Sequence, residues 1–232
     1  MAASFRRYRL KSFGQLLLAL MIVTLAQPFL SHHRILQIVV MLILLDGIYI
    51  AIPHEVGRRL RRAINALWLV TATLVVAAYV SERGIFRDSF DVVGGLLQTT
   101  LFALCLAATL LHVLRERRVT LDLIYAAMAG YFFIVATFAG FYKTAIVLDP
   151  DAFQFQAWVT DMSKVDVWSQ LSYFSFVTAA SLGYGDILPK NPYVQMFAVI
   201  EVVIGQFYLA TVIARLVSLY GNTPDPESSD EA

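Results

Sequence analysis

Thr178-Ala179-Ala180-Ser181-Leu182-Gly183-Tyr184-Gly185-Asp186 is the stretch on which the reading of the whole chain turns. Gly183 and Gly185 flank a tyrosine, and glycine tolerates the positive φ that other residues resist, so consecutive backbone carbonyls here are free to point the same way. A row of carbonyls can replace the water around a cation. Just before the stretch, Val167 to Ala180 is aromatic-rich and too short to cross a bilayer; just after it, Tyr193 to Leu219 is long enough. The order is therefore short helix, loop, spanning helix.

In this context the stretch resembles the potassium-channel selectivity filter, whose usual form is T-x-T-T-V-G-Y-G-D, and the resemblance extends through the following helix to about Tyr220. It implies that the backbone carbonyls of Ser181, Leu182, Gly183, Tyr184 and Gly185, with the Ser181 hydroxyl at the inner end, hold potassium. Ser181 stands where the family has Thr, Leu182 stands for Val, and Ala180 for a second Thr. Tyr173 and Phe174 match an aromatic pair packed around the filter, and Asp186 matches the acid just outside it. A hydrogen bond from Tyr173 to Asp186 would brace the loop. The resemblance also implies that Tyr184 points away from the ion path. Four such loops surround one axis, and this chain carries one, so a homotetramer is implied.

Composition agrees with a membrane setting. Of 232 residues, 59% are hydrophobic and only 15% charged, with a mean hydropathy of +0.67, which does not suit a soluble protein. The formal net charge is +1 and carries no message about a nucleic-acid partner. The single cysteine, Cys105, lies in an apolar run and reads as a small buried thiol with no intrachain disulfide to form.

Apolar runs at about Phe13 to Leu30, Ile35 to Ile52, Ala63 to Val80, Val92 to Leu114, Leu121 to Val147 and Tyr193 to Leu219 predict an all-α polytopic membrane protein with six transmembrane helices and a re-entrant pore helix and filter loop between the fifth and sixth. The first run reads as an uncleaved span, because no small-x-small pattern precedes Ser31. Residues 1–118 form an N-terminal four-helix membrane domain, 119–220 a pore domain, and 221–232 a short acidic cytoplasmic tail. Basic residues set the orientation. Arg6, Arg7, Arg9 and Lys11, then Arg58, Arg59, Arg61 and Arg62, then Arg115, Arg117 and Arg118 outweigh those on the filter side, which places both termini in the cytoplasm. Compact loops without glycosylation acceptors suit a bacterial inner membrane.

The first four helices occupy the place of a voltage sensor, but Val92 to Leu114 contains no Arg or Lys. Weak voltage dependence is expected. Asp46, inside the second span, would pair with Arg115, Arg117 or Arg118 and fix helix register. Between Leu148 and Asp166 the chain turns at Asp149-Pro150-Asp151, and Phe153, Phe155 and Trp158 read as aromatics resting at the headgroup level.

Within the last span, Gly205 falls 20 positions after Gly185, the spacing of the hinge glycine the resemblance implies. Interior glycine costs about 1 kcal/mol relative to alanine, so close packing or bending is its reason. Steps of three and four residues put Gln206, Ala210, Ile213 and Val217 on one face, the candidates for cavity and gate. Glu201, one turn earlier, belongs behind the filter, either protonated or bonded to pore-helix hydroxyls such as Thr178 or Ser175. Together with Tyr173, Phe174 and Asp186, Thr178 and Glu201 form the predicted filter support.

The expected function is passive, potassium-selective conduction, with potassium as the permeating ion, no cofactor, no nucleic acid and no small-molecule substrate, in contact with membrane lipid. A weakly selective cation channel is the first alternative, resting on Ala180, Ser181 and Leu182. A secondary transporter or a non-conducting channel subunit is the other. Enzyme chemistry is not expected, since no phosphate-binding loop, metal pair or nucleophile constellation appears and His54-Glu55 lacks a second histidine.

Overall fold

Why the chain builds around one buried helix follows from its glycines and aromatics. The computed structural model describes residues 12–30, 66–67, 69–70, 73, 85–155 and 167–221. Its elements are α1 (Ser12–Leu30), α2 (Ile85–Arg115), α3 (Leu121–Leu148), β1 (Phe153–Phe155), α4 (Val167–Ala179), β2 (Ile187–Pro189) and α5 (Pro192–Gly221). Three helices among the described residues are long and apolar enough to cross a membrane: Val92–Arg115, Leu121–Leu148 and Pro192–Leu219. They coincide closely with three of the expected spans. A shorter apolar helix, Phe13–Gln27, corresponds to the first. The second span, with Asp46, lies outside the described residues, as does most of the third.

α3 lies at the centre. Over its apolar window 56% of residues are buried, against 22% for α5, so α3 is wrapped by its own chain while α5 is left largely bare. Thr120 caps the start of α3, its hydroxyl accepting from the Leu123 N–H at 3.2 Å. Asp149 ends it, donating its N–H to the Ala145 carbonyl at 2.8 Å. Pro150 cannot continue the helical ladder, which makes the turn expected there.

Between α2 and α3 the contact is made by two matched pairs. A Cβ on Gly95 would sit 2.8 Å from Thr144 Oγ1, and one on Gly140 would overlap Thr99 Oγ1. Each helix thus carries a glycine followed four residues later by a threonine, and in the antiparallel pair each glycine receives the other helix's threonine. The threonine hydroxyls bond back to their own helices, Thr99 to the Gly95 carbonyl at 2.8 Å and Thr144 to the Gly140 carbonyl at 3.0 Å. Inside a membrane, where lipid is as apolar as leucine, this close approach of small residues supplies the packing that holds helices together. Gly130 serves a similar end, since its missing side chain leaves room for the Tyr208 hydroxyl, which donates to the Ala127 carbonyl at 2.6 Å.

Among the described residues two apolar cores result. One joins α1, α2, α3 and α5 through Phe13, Leu16, Leu101, Cys105, Phe133 and Tyr208, and Cys105 is buried as expected. The other joins Tyr142, Phe153, Leu171, Phe174, Ile187 and Val194. This second core corrects the expectation for Phe153: it is buried, edge-on to Tyr142 and Phe174, with ring centroids 5.6 and 5.4 Å away. Antiparallel pairing of β1 with β2, Phe155 opposite Ile187, accompanies this burial against the chain's own core.

At the far end of α5, Arg215 reaches the end of α2. Its Nε donates to the Val113 carbonyl at 2.9 Å and its Nη2 to those of Leu114 and, at 2.9 Å, Glu116. The Val113 and Leu114 carbonyls belong to the last turn and lack intrahelical partners, at the negative pole of the α2 dipole, so a guanidinium suits them on both counts.

Candidate functional site

α4 is the platform. Its 13 residues rise about 20 Å, short of the roughly 30 Å of a hydrocarbon core. It ends by chemistry that the sequence reading missed. Leu182 donates its N–H to the Val177 carbonyl and Ser181 donates to that of Thr178, both at 2.9 Å, with Ser181 at a φ of 57°. That paired arrangement is the Schellman helix end, and its left-handed residue is ordinarily glycine. Here it is a serine.

From Ser181 onward the backbone alternates. Positive φ recurs at Gly183, 61°, and Gly185, 76°, while Leu182 and Tyr184 between them keep negative values. Alternation of this kind gathers successive N–H groups on one side of the chain, which leaves the carbonyls on the other. Ala180 to Tyr184 are exposed, and an added Cβ at Gly183 or Gly185 would meet nothing within 4 Å of this chain. The two glycines thus face open space on the single chain.

Behind the loop stands the predicted support, arranged on two sides. Tyr173 donates its hydroxyl to Asp186 Oδ2 at 2.7 Å, the bond expected, and its ring stacks on Tyr184 at 6.4 Å between centroids. The other carboxylate oxygen, Asp186 Oδ1, accepts from the Ile187 N–H at 3.1 Å. Partial burial, that hydrogen bond and the charges of Asp186 and Tyr184 push the Tyr173 hydroxyl up to about 12, so it remains a proton donor at any physiological pH. Phe174 turns the opposite way, into the second core against Tyr142.

Glu201 is fully buried, and both of its oxygens have partners. Tyr142 donates its hydroxyl to Oε2 at 2.6 Å, and Ser175 Oγ bonds Oε1. Ser175 also reaches the Val135 carbonyl at 2.9 Å. Of the two hydroxyls expected beside Glu201, Ser175 is the one used; Thr178 contributes its backbone carbonyl to Ser181 instead. Tyr142 was not anticipated. A buried acid needs donors from neighbouring helices, and the three tyrosines of this span, Tyr125, Tyr131 and Tyr142, were the signal available, with nothing in the sequence to choose among them.

Gly205 packs against the end of α4. A Cβ there would fall 2.5 Å from the Ala179 carbonyl oxygen and 3.2 Å from its carbon, so close packing accounts for the glycine. The contact brings the next residue to the loop: Gln206 Nε2 donates to Ser181 Oγ at 3.0 Å and approaches the Ala179 carbonyl at 3.4 Å. Gln206, Ala210, Ile213 and Val217 are all exposed along one face of α5. The buried residues Val194, Glu201, Gly205, Tyr208 and Val212 lie on another, against α3 and α4.

Residues 119–222 match the family model described as ion channel. Comparison with curated proteins gives no match. Similarity to ion channels over that stretch, in a chain with three membrane-length helices among its described residues, supports passive ion conduction by a membrane protein.

Proposed function

We propose that the protein is a potassium-selective channel, a homotetramer in which four copies of the Ser181 to Gly185 loop ring one axis and offer their carbonyls to dehydrated potassium. The observation that carries this reading is the alternation of positive φ at Ser181, Gly183 and Gly185, since a backbone that sets successive carbonyls on one side is what a cage for a bare cation requires. The bare face of α5 suits packing against neighbouring copies: Met196, Val203 and Phe207 are each at least 47% exposed on the single chain. The domain boundaries at 118 and 220, the cytoplasmic termini and a bacterial inner membrane belong to the same proposal. Under it Gln206, Ala210, Ile213 and Val217 line the inner cavity, with the gate at its cytoplasmic end.

The test is a planar-bilayer recording of the purified chain in mixed potassium and sodium, with its mass measured in detergent. A reversal potential near that of potassium and a mass of four chains are expected. Equal permeation of the two ions would replace the reading by a weakly selective cation pore, and a stable monomer as the only species would remove the fourfold cage.

Voltage should matter little to this pore. Moving one charge through the field is worth about 2.3 kcal/mol per 100 mV, and α2 has no Arg or Lys from Val92 to Leu114. Conductance measured between −100 and +100 mV is therefore expected to change by far less than a sensor with several charges per subunit would produce (both voltages being roughly the working range of such recordings). A steep curve would contradict this.

A further inference from the structure

We infer that Gln206 is a positioning residue for the innermost ion site, fixing the Ser181 hydroxyl in a rotamer that the serine would not otherwise keep; this rests on the potassium-channel reading above. Ser181 is held in the left-handed region at φ 57°, where a residue with a side chain ordinarily costs about 1–2 kcal/mol. Two backbone bonds to α4 secure the main chain there. They do nothing for the side chain. A serine is not β-branched, so its χ1 has three staggered wells available, whereas the methyl of a β-branched residue would restrict them.

Gln206 supplies the missing restriction. Ala179 offers only a carbonyl acceptor, so the amide must turn its nitrogen toward that side, and the same NH2 group then donates to Ser181 Oγ at 3.0 Å. Of the carbonyls in the last turn of α4, those of Val177 and Thr178 already accept from the loop. The Ala179 carbonyl is the one the amide approaches. A hydroxyl oxygen has two lone pairs, and accepting one hydrogen bond from Gln206 leaves the second for a cation. Gly205 makes this reach possible, because any larger residue would drive α5 away from Ala179.

Internal barium is the probe. Its ion is close to potassium in size with twice the charge, so it lodges in a potassium cage and its block reports the affinity of the innermost site. The full-length tetramer is recorded in bilayers as wild type, Gln206→Met, Ser181→Thr and the double variant. Methionine has nearly glutamine's volume and cannot donate. A net hydrogen bond is worth roughly a three- to tenfold change per subunit, so Gln206→Met should weaken barium block by about tenfold or more across the ring. In the Ser181→Thr background the same change should cost less than about twofold, because the threonine methyl restricts χ1 without the amide. Equal loss in both backgrounds, or no loss in either, would overturn the assignment. If Gln206→Met does not assemble, Gln206→Asn, which keeps the amide but is one methylene too short to reach, carries the same comparison. A wild type that passes sodium and potassium alike would instead overturn the potassium reading, and it would do so before any variant is compared.

Discussion

Gly183→Ala is expected to abolish potassium current while the protein still inserts and assembles. The cost lies in the backbone alone. An added Cβ at Gly183 meets nothing within 4 Å of its own chain, but φ there is 61°, a value that an L-residue adopts at about 1–2 kcal/mol. In the proposed fourfold assembly this rises to roughly 4–8 kcal/mol, enough to depopulate the conformation by several orders of magnitude. Ser181 shows how such a residue is retained when it must be: two backbone bonds and the Gln206 amide hold it. Alanine would bring no side-chain bond of its own. Current per reconstituted tetramer, with elution volume as the control for assembly, checks the expectation. Unchanged potassium current in this variant would mean that the loop is not the filter.

What the sequence made legible, and what it did not, divides along a physical line. Membrane spans announce themselves by length, since a bilayer demands about 20 apolar residues, and the ends of α3 and α5 fell within a residue or two of the apolar runs. The glycine-tyrosine-glycine loop announces itself by the rarity of positive φ. Long-range pairings carry no comparable signal. β1 and β2 are three residues each, too short for a period of two to be seen, and their pairing is what buries Phe153. Tyr142 lies 59 positions from Glu201, so periodicity along one helix could not bring them together. Serine in a helix-end position that normally takes glycine hid the Schellman turn altogether. Gln206 was legible as one of a face of residues, but its bond to the loop depends on how closely Gly205 lets α5 approach.

Glu201→Leu is the change with the widest structural reach, because it removes the acceptor around which three helices meet. Tyr142 on α3, Ser175 on α4 and Glu201 on α5 converge in a site that is buried on every side. Leucine fills similar volume yet leaves the Tyr142 hydroxyl without its acceptor, and a buried donor left unsatisfied costs about 1–3 kcal/mol, more where the lost partner carried charge. Ser175 suffers less, since the Val135 carbonyl remains at 2.9 Å. Glu201→Gln separates this account from a requirement for the carboxylate itself. Ser175 has one proton and two acceptors within reach, so it can keep the Val135 carbonyl and accept from the amide while the amide carbonyl accepts from Tyr142, which leaves both hydroxyls satisfied. The glutamine variant should therefore assemble and conduct nearly as wild type. The leucine variant should lose about 1–3 kcal/mol per subunit, a sizeable share of the roughly 5–15 kcal/mol that holds a domain together, and should dissociate or fall silent on mild heating in detergent. Thermal dissociation of the two variants, followed by elution volume and by remaining potassium current, distinguishes the cases. If glutamine fails as badly as leucine, Glu201 acts through its charge and not through the hydrogen bonds that join α3, α4 and α5.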